Sequence, residues 1–166
     1  MKKLFISVCF LFFSIIIQAS PLDILSNKKL GVAIKYPYLW KCNTYNLHYS
    51  YIYKLVRNKY TSITIQIINS DKEEQYKWSN WKKWYFSGYG YIRRFIINDR
   101  KIIINNKIKG NFYLFEFTAH GKRFLERLVI GTYKNKYYVI NCTSRLHTFS
   151  RYRRLFDAVI AGIEIK

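Results

Sequence analysis

The chain has 166 residues, with 29 Lys and Arg against 9 Asp and Glu, a formal charge of +20, and half of its residues apolar. That length suits one domain with a core large enough to fold without staples, which argues against a multidomain reading. So basic a surface repels itself and attracts anionic lipid headgroups, sulfated or phosphorylated glycans, or nucleic acid. The shortage of acids is the informative part, because a composition bias towards Lys, Ile and Asn would raise Glu as well.

Residues 1–19 run from a charged start, Lys2-Lys3, through the apolar stretch Leu4–Ile17 to a small exit residue, Ala19. This is the layout of a secretory signal peptide, and removal after Ala19 leaves residues 20–166 as a single α+β domain. The apolar run is shorter than the roughly 20 residues of a spanning helix. An uncleaved anchor is therefore the secondary reading. Export ranks the partners: an anionic lipid or glycan, or an acidic envelope protein, comes before nucleic acid. Cys9 leaves with the leader, so the domain keeps Cys42 and Cys142. An even pair in an exported chain reads as a disulfide contributing about 2–4 kcal/mol, with two buried thiols as the alternative.

Leu30–Tyr36 alternates and stops at Pro37, which predicts a first strand. Tyr45–Val56 and Thr61–Ile68 keep a period of two and predict an antiparallel pair. Ser70-Asp71-Lys72-Glu73 is a capping-box signature that opens a predicted helix from Asp71 to about Phe86, with Trp78, Trp81 and Tyr85 at helical spacing. Gly90–Ile97 and Lys101–Ile104 flank the turn formers Asn98-Asp99 and predict a hairpin. Asn111–Thr118, Arg123–Ile130 and Lys136–Cys142 predict a meander, turning at Ala119–Lys122 and at Lys134-Asn135. From about Thr148, Phe149, Tyr152, Leu155, Phe156, Val159 and Ile160 share one face of an amphipathic helix that Gly162 ends, with Ile163–Ile165 as a short terminal strand. The pattern predicts an antiparallel sheet of about six to eight strands covered by two main helices.

An early strand closing in Tyr36-Pro37 with Trp40 beyond it, a middle helix, a meander and a final Phe149-x-x-Tyr152-x-x-x-Phe156 segment together resemble the PsbP-like family, which includes an extrinsic subunit of photosystem II. The resemblance implies an α/β/α sandwich around an antiparallel sheet and a non-catalytic domain that docks on a larger partner. It assigns no binding residue here.

Chemistry finds little purchase in the residues themselves. Neither cysteine carries a catalytic signature, and His48, His120 and His147 are scattered, so a small cysteine-dependent enzyme is the runner-up to a non-enzymatic reading. Zinc-ligand spacing and a phosphate-cradling glycine loop are both lacking, and no cofactor is expected. Glu116 and Glu126 would meet only if the register of their hairpin allowed it. The positive signal is basic residues beside aromatics: Lys82 and Lys83 among the tryptophans, and Arg151, Arg153 and Arg154 around Tyr152. These five are the expected partner-binding residues of an exported basic binding domain.

Overall fold

The computed structural model describes residues 22–47, 50–69, 86–87 and 91–165. Two antiparallel sheets carry the chain. β1 (Leu22–Asn27), β2 (Val32–Pro37) and β10 (Ile163–Ile165) form a small sheet in the order β1-β2-β10. β3 (Lys41–Leu47), β4 (Ser50–Asn58), β5 (Thr61–Asn69), β6 (Tyr91–Ile104), β7 (Ile108–Ala119), β8 (Lys122–Tyr133) and β9 (Lys136–Arg145) form a seven-stranded sheet, ordered β3-β4-β5-β9-β8-β7-β6. One long helix, α1 (Leu146–Ala161), joins β9 to β10.

This corrects the expected single sheet under two main helices: among the described residues there are ten strands in two sheets and one long helix. The chain leaves the small sheet after β2 through a tight turn in which the Trp40 N–H donates to the Pro37 carbonyl at 2.9 Å. β1 and β10 then pair with β2 instead of extending the large sheet. The helix predicted over Asp71 to about Phe86 lies outside the described residues, apart from Phe86. So do Trp78, Trp81 and Tyr85, and so does the predicted leader over residues 1–19.

Turn chemistry explains one further departure and strand pairing shows another. Asn98-Asp99 makes no hairpin, because β6 is one strand whose pairing with β7 slips between Ile97 and Arg100. Asp99 takes φ 61° there. Its carboxylate accepts from the Tyr113 hydroxyl at 2.9 Å and from the Asn111 amide, so the αL preference that suggested a turn is used in a bulge. The hairpin that does form joins β6 to β7 through Asn105-Asn106, with φ 48° and 57°, the two left-handed residues of a type I′ turn. His120-Gly121 repeats that geometry between β7 and β8, at the predicted position. The predicted strand Tyr45–Val56 is likewise two hairpin arms, β3 ending at Leu47 and β4 beginning at Ser50.

Register divides the large sheet into two faces. On one, Leu55, Ile63, Ile65, Leu125, Val129 and Ile140 meet Phe149, Phe156, Val159 and Ile160 of α1 in the main core. On the other, Tyr113, Phe115, Phe117, Phe124, Leu128 and Val139 form a second cluster, and Phe86 stands edge-on to Phe95, Tyr113 and Phe115 at 5.3–5.7 Å. β8 is consequently buried without a break from Phe124 to Gly131. A strand enclosed on both faces has no need of a polar alternate.

The same register settles the cysteines. Cys42 lies opposite Leu55, Leu55 opposite Ile63, and Ile63 opposite Cys142. The two thiols thus share one row, three strand spacings or roughly 14 Å apart, about twice the widest Cα separation a disulfide tolerates. Both are free, Cys142 buried and Cys42 half-buried. Of the alternative, two buried thiols, the fold carries the free thiols and the burial of Cys142, while Cys42 is only half-buried.

Candidate anion-binding site at one end of the sheet

The β4–β5 turn, the start of β8 and the junction of β9 with α1 all reach the same end of the large sheet. Arg145 pairs with Phe124 across β8–β9, so its side chain shares a face with Phe124. The Tyr60 ring packs against Phe124 with centroids 6.2 Å apart, and the Tyr60 N–H donates to Asn58 Oδ1 at 2.9 Å, which fixes the turn. Three cations gather on that ring. The Arg145 guanidinium lies 3.7 Å from its centroid, Lys122 Nζ 4.7 Å and Lys59 Nζ 5.7 Å. Lys122 Nζ also donates to the Tyr60 hydroxyl at 2.6 Å.

Electrostatics there are one-sided. The Lys122 hydrogen bond, reinforced by the charges of Lys122, Lys59 and Arg145, pulls the Tyr60 phenol below its ordinary value. The ion pairs Lys35–Glu164, Arg94–Glu116, Arg123–Glu116 and Arg127–Asp157 lie elsewhere, and the carboxylate on this face next along from Phe124, Glu126, is buried and accepts from the Thr143 hydroxyl. Arg145 Nε is buried and has no hydrogen-bond partner. Such a cluster suits an oxyanion: cation–π contact with one ring positions the charges, and each lysine ammonium carries three N–H donors, of which Lys122 spends one on the Tyr60 hydroxyl.

The residues expected from sequence are distributed differently. Arg151, Arg153 and Arg154 are all exposed on α1. A helix turns about 100° per residue, so Arg151 and Arg154 lie side by side towards solvent while Arg153 falls on the flank facing β6–β8. The trio is therefore not one patch. Lys82 and Lys83 lie outside the described residues. Sequence reading missed Lys59, Tyr60, Lys122 and Arg145 because it weighed neighbours along the chain, and these four meet only through strand register. The available clue was that Lys59 and Lys122 both sit beside predicted turns.

Two catalytic constellations raised from the sequence also receive geometry. Phe115 pairs with Glu126 and Glu116 with Leu125, so the two carboxylates point from opposite faces of the sheet. Glu116 is held by Arg123 at 2.5 Å and Arg94 at 3.3 Å, and Glu126 accepts from the Thr143 hydroxyl at 2.7 Å. Burial pushes both the Cys42 and Cys142 thiols up, opposite to what a thiolate nucleophile needs.

In fold the chain resembles PsbP-like proteins, although the described residues form two sheets and one long helix in place of the α/β/α sandwich that the sequence resemblance implied. Among solved structures it is similar to cyanobacterial PsbP (CyanoP) from Synechocystis sp. PCC 6803, with a TM-score of 0.58 and 13% identity over 89% of this chain and 94% of that one. It is also similar to LpqN of Mycobacterium tuberculosis, described as involved in cell envelope biogenesis, with a TM-score of 0.54 and 7% identity over 88% and 91% of the two chains. A protein from Bacteroides thetaiotaomicron matches at a TM-score of 0.52 and 12% identity, over 82% of this chain and 45% of that one. No protein-family model matches the chain, and no curated protein matches it in sequence. Likeness at such identities speaks for the fold alone.

Proposed function

We propose that the chain is an exported, non-catalytic binding domain that docks through the basic end of its large sheet on phosphate or sulfate groups of an envelope lipid or glycan. The observation that carries this reading is three cations, Arg145, Lys122 and Lys59, collected on the Tyr60 ring. The leader-like residues 1–19 support export, and among the described residues no helix is long and apolar enough to cross a membrane. The envelope role described for LpqN belongs to that protein and lends the reading an analogy.

Residues 20–166 contain every described element and are the form to test. Near an anionic surface each Lys or Arg contributes about 1 kcal/mol, so removing three should cost about 3 kcal/mol, roughly a hundred-fold in affinity. Lys59→Ala/Lys122→Ala/Arg145→Ala is expected to lose that much binding to phosphatidylglycerol vesicles in low salt, with neutral phosphatidylcholine vesicles giving no binding. Arg151→Ala/Arg154→Ala should change affinity much less, and high salt should weaken the wild type. Equal losses in the two variants would overturn the assignment to this end of the sheet. N-terminal sequencing of the exported chain is expected to begin after Ala19.

A further inference from the structure

On the opposite face of the sheet, away from Tyr60, α1 does not close fully onto β6, β7 and β8. A groove of about 600 Å³ remains between them, within the roughly 300–1,000 Å³ typical of small-molecule sites. Phe112, Leu114 and Val129 form its floor on the sheet, and Phe149 and Ile160 form its wall on the helix. From Phe149 to Ile160 the helix runs for about 16 Å, close to the 15 Å or so that acyl chains span in one leaflet of a bilayer about 30 Å thick.

Three arginines break this apolar lining. Arg127, only 7% exposed, rises from the middle of β8 with its guanidinium 5.5 Å from the Phe112 ring centroid, and Arg100 approaches the same ring at 6.0 Å. Arg153 lines the groove from the helix. Asp157 is the one carboxylate in the lining; it pairs with Arg127 Nη1 and is itself 57% exposed. Arg127 Nε is buried and has no hydrogen-bond partner. Burying a guanidinium with a donor left open is costly, and an anionic acceptor in the groove would relieve it.

We propose that this groove holds a single-chain anionic amphiphile, its acyl chain along the apolar walls and its carboxylate or phosphate head on Arg127, Arg100 and Arg153. The site goes beyond surface docking: it is a separate pocket with its own chemistry. The charge complement selects the head, and the length and volume select one chain.

The test is titration of residues 20–166 with palmitate, lysophosphatidylglycerol, uncharged monopalmitoylglycerol and inorganic phosphate, each lipid below its micelle concentration. Both chain-bearing anions should bind, the uncharged lipid at least ten-fold more weakly, and inorganic phosphate should displace neither. Arg100→Ala/Arg153→Ala leaves the Arg127–Asp157 pair in place and should weaken palmitate about ten-fold. Ser150→Trp, an exposed change on the groove lining, should block it. Lys59→Ala/Lys122→Ala should leave palmitate binding untouched, so failure here and failure at the sheet end are distinguishable. Equal binding of the uncharged lipid, displacement by phosphate, or no binding of either anion would overturn the proposal.

Discussion

Phe156→Ala tests whether α1 is seated on the sheet as described. Phe156 is fully buried, 5.4 Å from the Phe149 ring and 6.2 Å from the Tyr152 ring, so truncation empties the centre of the helix–sheet contact. Lost transfer free energy is about 2–3 kcal/mol, and a residual cavity of about 100 Å³ at about 24 cal/mol per Å³ adds roughly 2 more. The sum, about 4 kcal/mol with partial relaxation, is a large share of a stability of about 5–15 kcal/mol. For a domain of this size it corresponds to a fall in Tm of roughly 8–16 °C. Urea unfolding followed by tryptophan fluorescence and far-ultraviolet dichroism measures it, with Arg154→Ala, exposed on the same helix, as a control expected within about 0.5 kcal/mol. A loss under about 1.5 kcal/mol for Phe156→Ala, or equal losses for the two variants, would refute the packing argument.

Alkylation of the native protein should leave Cys142 unmodified and label Cys42 slowly, while in denaturant both should react; intact mass showing an oxidised pair before denaturation would contradict the strand register. Glu116 is held below its ordinary 4.5, chiefly by the Arg123 hydrogen bond and then by the charges of Arg123, Arg94 and Arg93. Its contribution to stability is present above that ordinary value and fades as pH falls through the lower folded one. Glu116→Gln should therefore be less stable than wild type near neutrality, and acid titration of the two should show the gap closing. At Gly110 an added Cβ would stand 2.1 Å from the Ile130 carbonyl oxygen, against backbone that cannot give way locally. Gly110→Ala should cost about 3 kcal/mol in thermal melts. Gly121→Ala, strained only by φ 68° with nothing within 4 Å, should cost about 1–2 kcal/mol.

Most strands were legible because their patterns are local. Thr61–Ile68 alternates, His120-Gly121 marks its own turn, and the amphipathic face of α1 predicts a helix with Phe149 and Phe156 inward. Pairing was less legible. Asn98-Asp99 and Asn105-Asn106 offer similar turn chemistry, and which pair reverses the chain depends on whether Asp99 can reach Tyr113 and Asn111 on the neighbouring strand. Leu22–Asn27 has a mixed pattern that means little until β2 is there to pair with it. The Cys42–Cys142 disulfide failed for the same reason: an even count of cysteines carries no distance, whereas register does. The basic end of the sheet shows this most plainly. Tyr60, Lys122 and Arg145 are remote in sequence, and the contiguous arginines of α1 drew attention away from them.

The strand order has a consequence for how the chain acquires its shape. β3, β4 and β5 follow one another as hairpins, as do β6, β7, β8 and β9, so each run can assemble from contacts between sequence neighbours. The two runs meet only at β5 and β9, in the register Ser62 to Thr143 through Asn69 to Lys136, whereas α1 packs on β8 and β9 within the second run and on β2 of the small sheet. Closing that long loop, and later delivering β10 to β2, makes few contacts until it is complete, so it sets the pace of folding. A chain that crosses a membrane unfolded would finish this slow step on the far side. Until then the apolar strands that become the inner faces of the sheet stay open, and the high positive charge of the chain opposes the approach of neighbouring copies.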